Sequence, residues 1–210
     1  MQNKLNKFWM GEFGNKYISR NNHPDMINDN IEIFKRILLK NKIKIKSVLE
    51  YGSNVGLNLL ALKKIYKDLD INAVEINSTA CKKLKKNIEN IKIFNQSIFD
   101  FNNNLNYLDL KFDLTLSKTV LIHINPSDIL KAYKALYQKS KKYILLIEYH
   151  NPSPVNIMYR GFSNKLFKRD FAGDLLRLYK DLKLLDYGFI YSKDPKLFNC
   201  DDLNWFLLKK

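Results

Sequence analysis

The sequence predicts an α/β fold: a doubly wound, mainly parallel sheet finished by a C-terminal antiparallel hairpin. Three observations carry that expectation. Strand-like apolar runs alternate with helix-period segments from Lys46 to Tyr149, the pattern of successive βαβ units. A glycine turn, Gly52-Ser53-Asn54-Val55-Gly56, separates the first strand from the helix after it. Two last strand-like runs, Leu184 to Ser192 and Asn204 to Lys209, lie close enough to pair with each other. At 210 residues the chain suits a single domain with a full core.

A polar leader bearing aromatic residues comes first. In Asp29 to Lys40 the residues Ile31, Ile33, Phe34, Ile37 and Leu38 recur at helical spacing, which predicts a covering helix. Residues 1–45 are therefore read as leader and cover, part of the same domain as a core spanning 46–210. The core opens with a strand at Lys46 to Glu50, a helix at Gly56 to Tyr66 and a strand at Ile71 to Ile76. Ser78 is the expected cap of a helix to Asn90, followed by a short strand at Ile91 to Asn95 and a fourth at Phe112 to Ser117. Pro126-Ser127-Asp128 opens a helix to Ser140 with Ile129, Leu130, Tyr133 and Leu136 on one face. A fifth strand runs from Tyr143 to Tyr149. From Pro154 to about Arg169 a long loop is expected, with residues 150–173 as a substrate segment, before a helix at Phe171 to Tyr179. The arrangement is Rossmann-like.

Ligands of such sheets bind beyond the carboxyl ends of the strands. Glu50, Gly52, Asn54 and Gly56 follow the first strand, and Glu75 and Ile76 end the second. An acid some 20 positions past a glycine turn takes both hydroxyls of a ribose, because a carboxylate accepts two hydrogen bonds at once. The places where a dinucleotide fingerprint needs glycine hold Gly52, Asn54 and Leu57, which disfavours nicotinamide. The order acid-x-Gly-x-Asn-x-Gly is instead similar to the acid-x-Gly-x-Gly-x-Gly loop of class I S-adenosylmethionine-dependent methyltransferases. Asn54 replaces the middle glycine and tolerates positive φ better than most residues. This likeness implies that fold, with S-adenosyl-L-methionine as cofactor and S-adenosyl-L-homocysteine as product. Ser97 and Ile98, with Phe99, are then candidates to frame the adenine, Ser117 is a further cofactor-binding candidate, and Lys118 is a candidate to face the methyl donor or an anionic acceptor.

His123 is the candidate general base, its ordinary pKa lying near neutrality; a packed histidine steadying the loop is the competing reading. Asp170 is either a base, a partner for Arg169 or a helix cap before Phe171. Tyr17, Tyr149 and Tyr159 are candidates to stack on the acceptor or bond to it, and Tyr149 is also a catalytic candidate. Arg20, Arg160, Lys168 and Arg169, with Asn151, would bind a carboxylate or phosphate. Asn151-Pro152-Ser153-Pro154 differs in residue order, and in the strand it follows, from the Asn-Pro-Pro-aromatic loop of amino-methylating nucleic-acid enzymes.

Other chemistries lack a motif. Cys81 and Cys200 suggest neither a disulfide framework nor a zinc site, and His23, His123 and His150 have no metal-ligand spacing, so no metal is expected. There is no Gly-x-Ser-x-Gly elbow. The strongest apolar run, Tyr143 to Ile147, is far shorter than the roughly 20 residues of a membrane span, and a cytoplasmic location is expected. The 36 basic and 21 acidic residues give a net charge of +15, but the lysines are spread along the whole chain. A nucleic-acid partner is therefore disfavoured yet kept open.

The resemblance extends further. Phe8-Trp9-x-Gly11-Glu12-Phe13-Gly14-Asn15-x-Tyr17-x-x-Arg20-Asn21, Leu121-Ile122-His123-Ile124-Asn125-Pro126, Tyr159-Arg160-Gly161-Phe162-Ser163, Leu166 to Gly173 and Asp201 to Leu208 resemble the pseudaminic acid biosynthesis-associated methylase family. This implies methyl transfer to a small anionic acceptor, a nonulosonic-acid-type sugar or sugar nucleotide of surface-glycan biosynthesis. Two alternatives remain beside it: an RNA or DNA methyltransferase using the basic surface, and a catalytically idle cofactor-binding scaffold.

Overall fold

The computed structural model describes residues 4–20, 23, 25–198 and 200–210; Asn21 of the leader motif lies outside the described residues. Five adjacent parallel strands make up most of a seven-stranded sheet: β1 (Ser47–Tyr51), β2 (Asp70–Val74), β3 (Lys92–Phe94), β4 (Phe112–Lys118) and β5 (Ser140–Glu148). β8 (Lys183–Ile190) and β9 (Leu203–Lys209) complete it in the order β3-β2-β1-β4-β5-β9-β8, with β9 antiparallel to both neighbours. The expected antiparallel hairpin at the end of the chain is thus present, its later strand inserted against β5.

The inner strands are largely apolar because both their faces are covered. Val48 and Leu49 of β1 and Ile144 to Ile147 of β5 are wholly buried. On one face Phe34, Ile37, Leu59, Leu62 and Leu84 pack from α3 (Asp25–Phe34), the π-helical turn Lys35–Leu39, α4 (Leu57–Ile65) and α5 (Ser78–Asn87). On the other, Phe101 of α6 (Ile98–Asn103), Tyr133 and Leu136 of α7 (Ile129–Lys139), and Phe171 and Leu175 of α8 (Phe171–Leu178) close the second core. The strand order reverses between β1 and β4, which opens a crevice at their carboxyl ends.

Several boundaries differ from the sequence reading. The leader is helical, as α1 (Lys4–Met10) and α2 (Glu12–Arg20), and the covering helix starts at Asp25. Asn77, not Ser78, caps α5: its side-chain oxygen accepts from the N–H groups of Thr79 and Ala80 at 2.8 and 3.0 Å. The segment expected as a long loop is a two-stranded hairpin, β6 (Val155–Tyr159) with β7 (Phe162–Lys168). Arg160 and Gly161 join its strands with φ of 49° and 83°, the sign required by a two-residue primed turn. From Val155 to Met158 and from Phe162 to Asn164 its residues are exposed, so no burial alternation marks it as a strand pair.

Candidate functional site

A cavity of about 250 Å³ lies over the carboxyl ends of β1, β2 and β4, under α1, α2 and α3. Its floor is the glycine turn. Gly52 has φ of 67°, and a Cβ there would stand 2.6 Å from Val120 Cγ2. Asn54 also takes positive φ, 48°. Both line the cavity; Gly56 does not. With φ of 86° and space closed by Leu84 Cδ1 at 2.3 Å from a built Cβ, Gly56 instead brings α4 against α5.

Glu75 stands beside the turn, 7% exposed. Its Oε2 accepts the N–H of Asn54 at 2.8 Å and its Oε1 the N–H of Asn77 at 2.7 Å. Burial pushes its pKa above the ordinary carboxylate value, against the pull of these main-chain bonds. Ile76 continues the wall, and Ser97, Ile98 and Phe99 form the end beyond β3. Ser97 caps α6, its hydroxyl donating to Asp100 Oδ2 at 2.6 Å while accepting the Asp100 N–H at 3.1 Å. Gln96, which sequence reasoning passed over, lines the same end, and its Oε1 is buried without a hydrogen-bond partner.

Glu50 and Ser117 lie one layer beneath the wall rather than in it. Glu50 is 1% exposed, its Oε1 accepts from Asn58 Nδ2 at 2.6 Å, and burial raises its pKa to about 7. Ser117 donates to Glu148 Oε1 at 2.7 Å, an oxygen that also accepts the N–H groups of Val120 and Leu121 at 3.1 Å each. Both residues hold the loops after their strands in place. Lys118 does reach the cavity. Its ammonium donates to Asn30 Oδ1 and, at 3.3 Å, to Asn58 Oδ1, and burial lowers its pKa to about 8 although Glu50 opposes this. Asn30 and Asn58 had no motif to announce them, because α3 and α4 bring them together only on folding.

The remaining side of the cavity is walled by Trp9, Tyr17, Thr119, His123 and Asp201. The ring of His123 packs against those of Trp9 and Tyr159, at centroid distances of 4.7 and 4.9 Å. Its Nδ1 lies 2.6 Å from the Lys165 carbonyl, which only accepts, so Nδ1 carries the hydrogen and Nε2 the lone pair. Burial lowers its pKa to about 4. Tyr17 is enclosed, its pKa raised to about 12 by burial and by the nearby Tyr159 and Asp201, and its hydroxyl is hydrogen-bonded to Thr119. Thr119 has φ of 55°, a costly conformation for a β-branched residue and one that clusters at functional sites.

Other sequence candidates stand away from this cavity. Tyr149 lies behind it, under the Lys168 ammonium at 4.8 Å from the ring centre, with its hydroxyl bonded to Asp201. Asp170 is the cap of α8, accepting the Gly173 N–H at 2.8 Å. Arg169 ion-pairs with Asp174 at 2.7 Å without hydrogen-bond alignment. Arg20 lies over the rings of Phe13 and Tyr17, and Arg160 sits in the exposed hairpin turn over Tyr159. Asn151 donates to the nearby Ser153 carbonyl at 2.6 Å. Lys168 and Arg169 line a second, open hollow outside the hairpin, which meets the main cavity at Asn125.

A roof of aromatic rings joins the leader to the hairpin. Phe8 stacks on Phe13 at 4.1 Å; Phe162 meets them edge-on at 5.2 and 5.5 Å, and Tyr159 meets Phe13 at 5.9 Å. Asn77 pins the leader from below, donating to the Trp9 carbonyl at 2.9 Å and to Asn15 Oδ1 at 3.0 Å. The Phe8 to Tyr17 and Tyr159 to Phe162 motifs, far apart in the chain, are therefore one structure.

No protein-family model matches the chain, and no curated protein matches it. Solved structures do. Magnesium protoporphyrin IX methyltransferase of Synechocystis PCC 6803, with bound S-adenosylhomocysteine, superposes with a TM-score of 0.71 at 9% identity over 98% of this chain and 97% of its own. The Burkholderia thailandensis 1,6-didemethyltoxoflavin-N1-methyltransferase does so with a TM-score of 0.69 at 10% identity over 98% and 87%. An S-adenosylmethionine-dependent methyltransferase of Clostridium acetobutylicum gives 0.61 at 17% identity over 99% of both chains. What these proteins share with this chain is the class I methyltransferase fold.

Proposed function

We propose that this protein is an S-adenosyl-L-methionine-dependent methyltransferase acting on a small molecule. The observation that carries the reading is the placement of Glu75, clamped by the N–H groups of Asn54 and Asn77 at the mouth of the glycine turn, where a ribose needs a carboxylate. The cavity's chemistry fits a nucleoside: Gly52 leaves the main chain open to close approach, Ile98 and Phe99 offer apolar surface, and the unpartnered Gln96 Oε1 calls for a donor such as an exocyclic amine. When bound, the sulfonium supplies an electrophilic methyl group.

The chain's own part is alignment, which supplies most of the acceleration in a displacement of this kind. Residues 46–210 are read as the methyltransferase core, residues 1–45 as its cover and 150–173 as the substrate segment. The cover contributes Trp9, Tyr17 and Asn30 to the cavity wall. His123 is the proposed base where the acceptor is a hydroxyl, with Nε2 as the proton-accepting atom.

The finer reading, an anionic surface sugar, draws on the resemblance of the leader and the 159–173 motifs. Those motifs build the roof and hairpin, whereas the cations suited to an anion, Arg20, Arg160, Lys168 and Arg169, stand outside the cavity wall. The test is transfer of labelled methyl from S-adenosyl-L-methionine into separated small-molecule, nucleic-acid and protein pools, with Glu75→Ala as control. Label in small molecules that disappears in the variant is expected. Label in nucleic acid overturns the acceptor class, and no binding of S-adenosyl-L-homocysteine by calorimetry overturns the whole reading.

A further inference from the structure

The charges of the cavity wall are uneven. Asp29, Glu75 and Asp201 line it, against Lys118 alone among lysines and arginines of the described residues. Lys118 is already served by Asn30 and Asn58, with Glu50 behind it. Asp29 accepts the Phe198 N–H at 2.7 Å, and Glu75 is taken up by two main-chain amides. Asp201 is different: its partner is the Tyr149 hydroxyl, and it is exposed. On the same wall the indole Nε1 of Trp9 is buried without an acceptor. A buried donor left unpaired costs about 1–3 kcal/mol, so it points to a ligand atom that completes it.

We infer that the end of the cavity walled by Trp9, Tyr17, Thr119, His123 and Asp201 is the methyl acceptor's subsite, and that it takes an uncharged or amine-bearing molecule rather than an anion. This rests on the methyltransferase reading and deepens it. Trp9 Nε1–H donates to a carbonyl, ether or ring-nitrogen atom of the acceptor, and the rings of Trp9, Tyr17 and His123 cover its faces. Asp201 accepts from the acceptor's N–H. A negatively charged acceptor there would meet Asp201, while the nearby cations are Lys118, held by Asn30 and Asn58, and Arg20, which lies over the Tyr17 ring rather than in the cavity wall. In the transfer, the lone pair of the acceptor nitrogen forms the new N–CH3 bond. The S–CH3 bond breaks with its electron pair kept on sulfur, which leaves a thioether. The proton displaced from nitrogen passes to Asp201 and from there, because that side chain is exposed, to water.

The experiment uses the full chain with labelled S-adenosyl-L-methionine and a small-molecule extract of the source cells, the labelled product being passed over an anion exchanger at neutral pH. Label in the unretained fraction is expected, reduced roughly a hundredfold or more in Asp201→Asn. Trp9→Phe, which keeps a ring and loses the N–H, is expected to need roughly three- to tenfold more extract for half-maximal labelling. Calorimetric affinity for S-adenosyl-L-homocysteine should be unchanged in both variants. A product retained as an anion, full labelling by Asp201→Asn, or no labelled small molecule from a protein that binds S-adenosyl-L-homocysteine would each overturn the inference. Failure to bind S-adenosyl-L-homocysteine at all would instead remove the cofactor reading beneath it.

Discussion

The main-chain N–H of Asn54 donates to the carboxylate of Glu75 at 2.8 Å, so the side chain just after β2 also fixes the left-handed residue of the glycine turn. Glu75→Ala leaves the N–H groups of Asn54 and Asn77 without their acceptor. Unfolding in urea should show a loss of about 2–4 kcal/mol, and calorimetry a fall in S-adenosyl-L-homocysteine affinity of more than roughly tenfold. Unchanged affinity in a folded variant would place the ribose elsewhere.

The two glycines of the turn should separate binding from stability. At Gly52 an alanine Cβ presses on Val120, in the cavity wall; at Gly56 it presses on Leu84 and Ile88, in the core. Both variants carry the cost of positive φ, about 1–2 kcal/mol. Gly52→Ala should weaken S-adenosyl-L-homocysteine binding beyond that cost, while Gly56→Ala should lower the thermal midpoint and leave the affinity of the folded fraction within roughly twofold. Equal losses of affinity would mean that the turn responds as a unit.

Glu148 is fully buried, with Oε1 taking three donors and Oε2 none, and burial raises its pKa from 4.5 to about 7. Below pH 4.5 the folded and unfolded chains both hold the proton. Between 4.5 and 7 the unfolded chain releases it first, so stability declines as pH rises and levels off above 7. Glu148→Gln removes this titration, and the fall in unfolding free energy from pH 5 to pH 8 should shrink by at most about 3 kcal/mol relative to the parent protein. Parallel curves for the two proteins would show that Glu148 does not titrate in that window.

His123, with its pKa lowered to about 4, is neutral across the working range. Turnover should therefore show no acidic limb near 6.5 from this residue. With a hydroxyl acceptor, His123→Ala is expected to lower turnover by roughly a hundredfold and S-adenosyl-L-homocysteine affinity by less than about threefold. Since the folded value lies below the ordinary 6.5, the parent protein should lose stability as pH falls from 6.5 toward 4, and the variant should lose less. Full turnover in the variant would leave His123 as a packing residue.

The legible part of the fold was its buried part. Strands β1, β2, β4 and β5 declare themselves by their buried apolar residues, and the last two strands through their closeness in sequence. The hairpin at 155–168 was missed because its exposed residues show no alternation, although the two-residue link Arg160-Gly161 is the kind that primed turns use. Within the site, Gly52, Asn54 and Glu75 were readable because strand, turn and acid fall within one βαβ unit. Asn30, Asn58 and Asp201 were not, since each reaches the cavity from a distant element. Glu50 and Ser117 lie one layer beneath the cavity wall: successive residues of a strand point to opposite faces, and the motif does not say which of them reach the cavity.

The insertion of β9 between β5 and β8 has a consequence for how the chain is made. β8 precedes its hydrogen-bonding partner β9 in the chain, and β5 waits more than fifty residues for its second neighbour. Until Leu203 to Lys209 arrive, Ile144 to Ile147 present an open, wholly apolar edge. The nascent protein passes through a stage in which its most hydrophobic strand is half-paired, the moment at which a chaperone or an aggregate would compete for it.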